Sequence, residues 1–116
     1  MTEDEFSDAL VELAHLFDWK VAGFRPARTK HGWRTAVRYD GKGFPDLTLV
    51  HPNGSVIFAE LKADKGRMSP EQVEWQHIME LAARCANGVR HVVWRPRDAS
   101  DIATVLSFGR ITDWTV

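Results

Sequence analysis

The chain has 116 residues, 44% of them apolar and 27% charged, which suits one globular domain over residues 1–116 with a buried core and excludes a disordered chain. A net charge of −1 excludes a protein that is basic throughout, so any nucleic-acid contact must come from a local cluster of cations. A single cysteine, Cys85, excludes an internal disulfide and a zinc site built from several cysteines.

Thr2 to Asp18 reads as an amphipathic helix, with Thr2 as N-cap and acids in its first turn. At about 100° per residue, Phe6, Leu10, Leu13, Ala14 and Phe17 form one apolar stripe. Glu3 falls within that stripe and is the acid aimed inward, whereas Glu5, Asp8 and Glu12 point away. A simple helix-dipole contact is the alternative role for Glu3. So acidic a start is unlike a secretory signal, and no apolar run approaches a membrane span; the expected compartment is the cytoplasm. Trp19 to Phe24 is a predicted first strand.

Arg25 to Lys42 is a basic segment. Arg25, Arg28, Lys30, Arg34, Arg38 and Lys42 face Asp40 as the sole acid, with Trp33 and Tyr39 interleaved. Cations alternating with aromatics suit phosphate contact and base stacking; a solvated loop is the plainer alternative. Next come two short arms, Gly43–Val50 and Ser55–Lys62, separated by Pro, Asn and Gly: a hairpin. A loop of Pro52, Asn53 and Gly54 between His51 and Ser55 puts Gly54 at a left-handed position.

Ala63 to Met68 is a loop carrying Lys65 and Arg67. Ser69 then caps a helix, with Pro70 at its first position and Gln72 closing a capping box. Gln72, Trp75, Ile78, Met79, Ala82, Cys85 and Ala86 form the row predicted to be buried, and Asn87-Gly88 the stop. Gln72 has two roles open to it, capping the helix or reaching towards the hairpin. Val89 to Trp94 is a strand, parallel to 56–62 through the helical crossover. Asp98 opens a final helix with Ile102, Val105 and Leu106 inward, and Ile111 and Trp114 are candidate anchors for the tail. The order is αβββαβ plus a C-terminal helix, an α/β fold with a small mixed sheet flanked by helices.

The chemistry gathers on the hairpin. In the expected register Asp46 lies opposite Glu60, on a face shared with Lys62. Directly opposed carboxylates have Cβ atoms about 5 Å apart and repel. Leu47, Leu49, Ile57, Ala59 and Leu61 make the other face wholly apolar, so the hairpin is predicted to be central, and buried acids need a counter-ion. Lys62 is one. A Mg²⁺ or Mn²⁺ ion, with few hard oxygen ligands, is the second. An ordinary surface Asp–Lys–Glu cluster is the bland alternative. The histidines show no metal-ligand spacing and are expected on the surface or in hydrogen bonds.

Pro45-Asp46 followed by Glu60-Leu61-Lys62 has the form of the PD-(D/E)xK nuclease signature. Together with Gly43-Phe44-Pro45-Asp46-Leu47, the Ser69-Pro70-Glu71-Gln72 helix start with Trp75, and Val93-Trp94-Arg95-Pro96, it resembles the stand-alone virus-type replication-repair nuclease (VRR-NUC) domain. The likeness extends over the N-terminal helix and Arg28 to Thr35. It departs at Asp18-Trp19, where relatives often carry Gly-Trp. The resemblance implies a restriction-endonuclease-like fold and a metal-dependent DNA endonuclease, of a kind that resembles Holliday-junction resolvases and tends to form a homodimer. It implies Asp46, Glu60 and the Leu61 backbone carbonyl as metal ligands, Lys62 as catalytic lysine, Gln72 beside it, and Glu3 as a further acid at the metal. Candidate DNA contacts are Arg28, Lys30, Trp33, Arg34, Lys42, Lys65 and Arg67. A non-catalytic nucleic-acid-binding or assembly module keeping the fold is the alternative.

Overall fold

The computed structural model describes residues 1–24, 27–29, 32–34 and 37–108. Helix α1 spans Glu3–Leu16. Thr2 Oγ1 accepts from the Glu5 N–H at 3.1 Å, and Glu5 Oε1 accepts from the Thr2 N–H at 3.4 Å. The predicted cap is therefore a full capping box, with Glu5 as its unforeseen second half. Phe6, Leu10 and Ala14 are buried along the expected stripe, but Phe17 lies beyond the helix and is 37% exposed.

The helix ends because Asp18 turns left-handed, at φ +70°. The Asp18 N–H donates to the His15 carbonyl and the Trp19 N–H to the Ala14 carbonyl, the paired closure of a Schellman turn. That explains why glycine suits this position. The turn buries Trp19, whose indole N–H donates to the Leu106 carbonyl at 2.9 Å.

Strand β1 (Lys20–Gly23) runs antiparallel to β4 (Leu47–Val50), which runs antiparallel to β5 (Val56–Leu61). The pairing Leu47↔Ala59 to Val50↔Val56 is the register expected from the loop. Gly54 takes φ +98°, and Asn53 Oδ1 accepts from the Ser55 N–H. The ladder stops at Leu47↔Ala59, so Asp46 stands one residue outside it rather than as a paired partner of Glu60. Strand β6 (Val89–Trp94) adds parallel to β5, in the sheet order β1-β4-β5-β6. The two hairpin strands are thus central, as their apolar residues require. Strands β2 (Ala27–Thr29) and β3 (Gly32–Arg34) pair as a separate ribbon within the basic segment. Three-residue strands are too short to leave an alternation that a sequence reading could detect.

Helix α3 (Ala99–Phe108) follows a single 3₁₀ turn over Pro96–Asp98. Helices α1 and α3 close one face of the sheet over Leu47, Leu49, Ile57, Ala59, Leu61 and Trp94, with Ile102 and Leu106 buried against them. Helix α2 (Pro70–Ala83) packs against β6 on the connection between the parallel strands, and none of its residues is buried. This corrects the predicted row. Trp75 and Met79 are half-buried, Ile78 is 58% exposed, and Ala82, Cys85 and Ala86 are exposed. The apolar side chains of α2 spread around the helix, so no orientation buries them all. Cys85 and Ala86 lie past its end, where Arg84 is the C-cap. His91 departs too: it is buried on β6, burial pushes its pKa down, and its Nδ1 has no hydrogen-bond partner among the described residues. No helix among the described residues is long and apolar enough to cross a membrane. Ile111 and Trp114 lie outside the described residues.

The left-handed conformation costs a residue other than glycine about 1–2 kcal/mol, partly offset by the extra freedom glycine loses on folding. Asp18→Gly is expected to stabilise the fold by about 0.5–1 kcal/mol, read as a higher denaturation midpoint. A midpoint at or below wild type would overturn this account of the turn.

Candidate active site

Asp46 enters the sheet from the Gly43–Pro45 segment, and its neighbour Pro45 is fully buried. Its own backbone carbonyl accepts from the Phe24 N–H at 2.8 Å, and its Oδ2 accepts from the Leu61 N–H at 2.9 Å. The carboxylate therefore reaches across to the far end of β5. Glu60 sits there at 2% exposure, the only acid among the buried residues described. Burial pushes its pKa from 4.5 up to about 9, reinforced by a hydrogen bond with Asp46 and by the Asp46 charge. Lys62 pulls the other way, and Glu3 adds a smaller push upward. Two acids at hydrogen-bond range with one proton between them are the like-charge arrangement in which a single group must stay neutral. The upward push falls on Glu60, which burial disfavours as an anion beside Asp46.

Lys62 follows β5 and is half-buried, with its N–H on the Trp94 carbonyl at 3.0 Å. The structure thus brings Asp46, Glu60 and Lys62 together, with Glu3 within electrostatic reach. No group of three or more His, Cys, Asp or Glu side chains among the described residues is disposed to hold a metal ion. Gln72 caps its helix: its Oε1 accepts from the Ser69 N–H at 2.8 Å, while Ser69 Oγ accepts from the Gln72 N–H at 3.2 Å.

The basic candidates divide. Lys42 pairs with Glu71 at 3.2 Å on the exposed side of α2. Lys65 and Arg67 are exposed on the loop after Lys62. Arg28, Trp33 and Arg34 belong to the β2–β3 ribbon, and Lys30 lies outside the described residues. A cleft of about 290 Å³ between Asp40, Lys42, Glu71, Glu74, Trp75 and Ile78 does not include the acid pair. The chemistry of Asp46 and Glu60, rather than cavity size, marks the site.

One contributor is not legible in the sequence as a functional residue. Arg95 Nη1 donates to the carbonyls of Ala63 and Gly66, at 2.7 Å each. Arg97 adds its backbone N–H to Asp64 Oδ1 at 3.1 Å. The loop after Lys62 is thus tied down from the end of β6. Its exposed carbonyls carry no sequence signal of the cation that will satisfy them.

The donor set fits a hard divalent cation: two carboxylates, close enough to share a proton, at the end of a central strand. A metal would take the place of that proton. A mixed sheet in which Pro45-Asp46 opens one central strand and Glu60-Leu61-Lys62 closes the next is the core of a PD-(D/E)xK-type nuclease domain. Residues 7–95 match the VRR-NUC domain, and the chain belongs to that family. Glu3 lies outside the matched span, so its place beside the pair rests on the fold alone. No curated protein matches the chain.

The sign of the pH dependence follows from Glu60. Its folded pKa is raised, so in metal-free protein its contribution to stability is complete below about 4.5 and is lost as pH rises through about 9. Glu60→Gln cannot ionise and is expected to remove this decline, so its melting temperature should pull ahead of wild type as pH rises above about 4.5, with the gap growing up to about 9. Mn²⁺ should raise the wild-type melting temperature there and leave Glu60→Gln nearly unmoved. Parallel melting curves for the two proteins across that range would contradict the assignment.

Proposed function

We propose that the chain is a Mg²⁺- or Mn²⁺-dependent DNA endonuclease that hydrolyses phosphodiester bonds in branched or otherwise structured DNA such as Holliday junctions. The observation that carries this reading is the proton-sharing pair Asp46–Glu60 beside Lys62. Such a pair destabilises the fold at neutral pH unless a cation meets it, and no packing role requires it.

Asp46, Glu60 and the Leu61 backbone carbonyl would hold the metal, with Glu3 adding negative charge behind them. The bound cation would acidify a water and neutralise charge on the scissile phosphate. Lys62 supplies a fixed ammonium to the nucleophilic water or to a phosphate oxygen, where charge grows most in the transition state. We read it as an electrostatic clamp, with base catalysis as its lesser role. Gln72, held by its own cap, presents its remaining amide hydrogens from a rigid helix start. Lys42, Lys65 and Arg67, which flank the acid pair in sequence, Arg28, Trp33 and Arg34 of the β2–β3 ribbon, and Lys30 are the residues we assign to the path of the DNA backbone.

Selectivity for branched DNA, action as a homodimer, and a cytoplasmic setting in a bacterial or phage-infected cell complete the proposal. They are supported by the family resemblance, and two symmetric cuts in a junction require two sites.

Supercoiled plasmid and a four-way junction incubated with Mg²⁺ or Mn²⁺ test the reading. Wild type is expected to nick or resolve them. Asp46→Asn should abolish both cleavage and calorimetric Mn²⁺ binding. Lys62→Ala should cut about 10²–10³-fold more slowly while binding Mn²⁺ as wild type does. A Lys62→Ala protein that cleaves at the wild-type rate would remove both roles given to it. Tight DNA binding without cleavage under either metal would establish the non-catalytic module instead.

A further inference from the structure

We infer that Trp75 is a positioning residue that clamps the Asp40–Asp46 segment to the start of α2 and so sets where the Asp46 carboxylate lies. The inference deepens the proposed nuclease reading, and its first test does not depend on catalysis.

The segment between Val37 and Asp46 belongs to no strand or helix. Its internal bonds are two tight turns, Gly41 N–H to the Arg38 carbonyl and Phe44 N–H to the Gly41 carbonyl. Something outside it must fix its position before it delivers Asp46 to the sheet. Trp75 does this in two ways. Its indole N–H is shared between the Asp40 carbonyl at 3.0 Å and the Lys42 carbonyl at 3.2 Å. Its ring meets Phe44 edge-on, with centroids 5.1 Å apart at 83°. Phe44 in turn meets Phe58 of β5 and Phe24 beyond β1, both edge-on. The aromatic chain thus runs from α2 to both strands that flank β4.

Between the two Trp75 contacts lies Gly43. Its φ is +85°, and a Cβ there would stand 2.6 Å from the Glu71 carbonyl carbon and 2.8 Å from the Gln72 nitrogen. Backbone therefore lies directly on backbone at the very turn that carries Gln72. The clamp sets two candidate site residues against each other, Asp46 through the segment and Gln72 through the helix. The Lys42–Glu71 ion pair is too exposed to do this work. A half-buried tryptophan used only for packing would have no need to direct its N–H at two carbonyls of one loop.

The Leu61 amide reports the position of Asp46, because it donates to Asp46 Oδ2. Trp75→Phe keeps the ring contact with Phe44 and removes the donor. In assigned amide spectra of the full chain, its Leu61 proton is expected to move upfield and exchange about 10-fold faster, while Ile57 and Ala59 keep their protection. Mn²⁺ affinity should fall about 10–100-fold, the usual consequence of releasing a ligand from its support. Cleavage should lose kcat with KM for DNA unchanged. Gly43→Ala, which forces the segment off the helix with the indole intact, should show the same pattern.

Leu61 exchange and Mn²⁺ affinity equal to wild type in Trp75→Phe would overturn the inference. So would a uniform loss of protection along β5, which marks plain destabilisation. If Gly43→Ala does not fold, Trp75→Phe decides alone. If wild type binds Mn²⁺ but cuts nothing, the nuclease reading fails and the clamp still stands or falls on Leu61. If wild type binds no Mn²⁺, the metal assignment fails, and exchange at the Leu61 amide still decides whether the clamp exists.

Discussion

A carboxyl group with almost no access to water, hydrogen-bonded to a second one, is the constraint around which this small protein is built. Burial is the largest cause raising the Glu60 pKa, and the hydrogen bond with Asp46 and the Asp46 charge add to it. The pair can exist as two anions only if positive charge is brought to it, and the chain itself brings one ammonium, from Lys62. The rest of the architecture keeps these three groups from drifting apart. Helices α1 and α3 bury the opposite face of the central strands, so the hairpin carrying the acids cannot slip without exposing Leu49 and Ile57, both fully buried. Slippage by one residue would turn every side chain of a strand over.

The supports of the site come from three separate places in the chain. Helix α2 and the Phe44 cluster hold the approach to Asp46, and Arg95 and Arg97 hold the departure from Lys62. The N-terminal turn of α1 brings Glu3 close enough to add to the field at Glu60. These supports are contacts to backbone carbonyls, edge-on ring contacts and a charge acting at a distance rather than one large buried surface. This agrees with the sparse covering of the sheet on the α2 side.

Much of this is legible in the residues. The loop Pro52–Gly54 sets the register of the hairpin, since glycine chemistry and loop length together leave few pairings. Thr2, Ser69 and Pro70 place both helix starts, because capping is local chemistry. Helix α2 departs from its expected burial in part for local reasons, its apolar side chains being spread around it and Cys85 lying past its C-cap, and in part for a reason that is not local. Whether Ile78 is covered depends on how much sheet lies opposite, which no periodicity records. The β2–β3 ribbon escapes a sequence reading because its strands are shorter than one period of any useful pattern. The roles of Arg95 and Trp75 are hidden for another reason: both act on main-chain carbonyls, and every residue has one. Of the candidate site, the acid pair and lysine are readable from spacing and alternation. Their mutual proton is not, for it depends on exclusion of water by residues far away in the chain.

The tether from Arg95 to the carbonyls of Ala63 and Gly66 has a consequence for how the molecule comes into being. The signature motif is complete once Lys62 has been synthesised, yet the strand that flanks β5 and the guanidinium that closes the loop beyond it arrive only with β6. A nascent or proteolysed chain ending before Val89 would carry every residue of the motif without the means to arrange them. The motif is thus complete in sequence about thirty residues before its support is complete in space, with the whole of α2 and of β6 lying between Lys62 and Arg95.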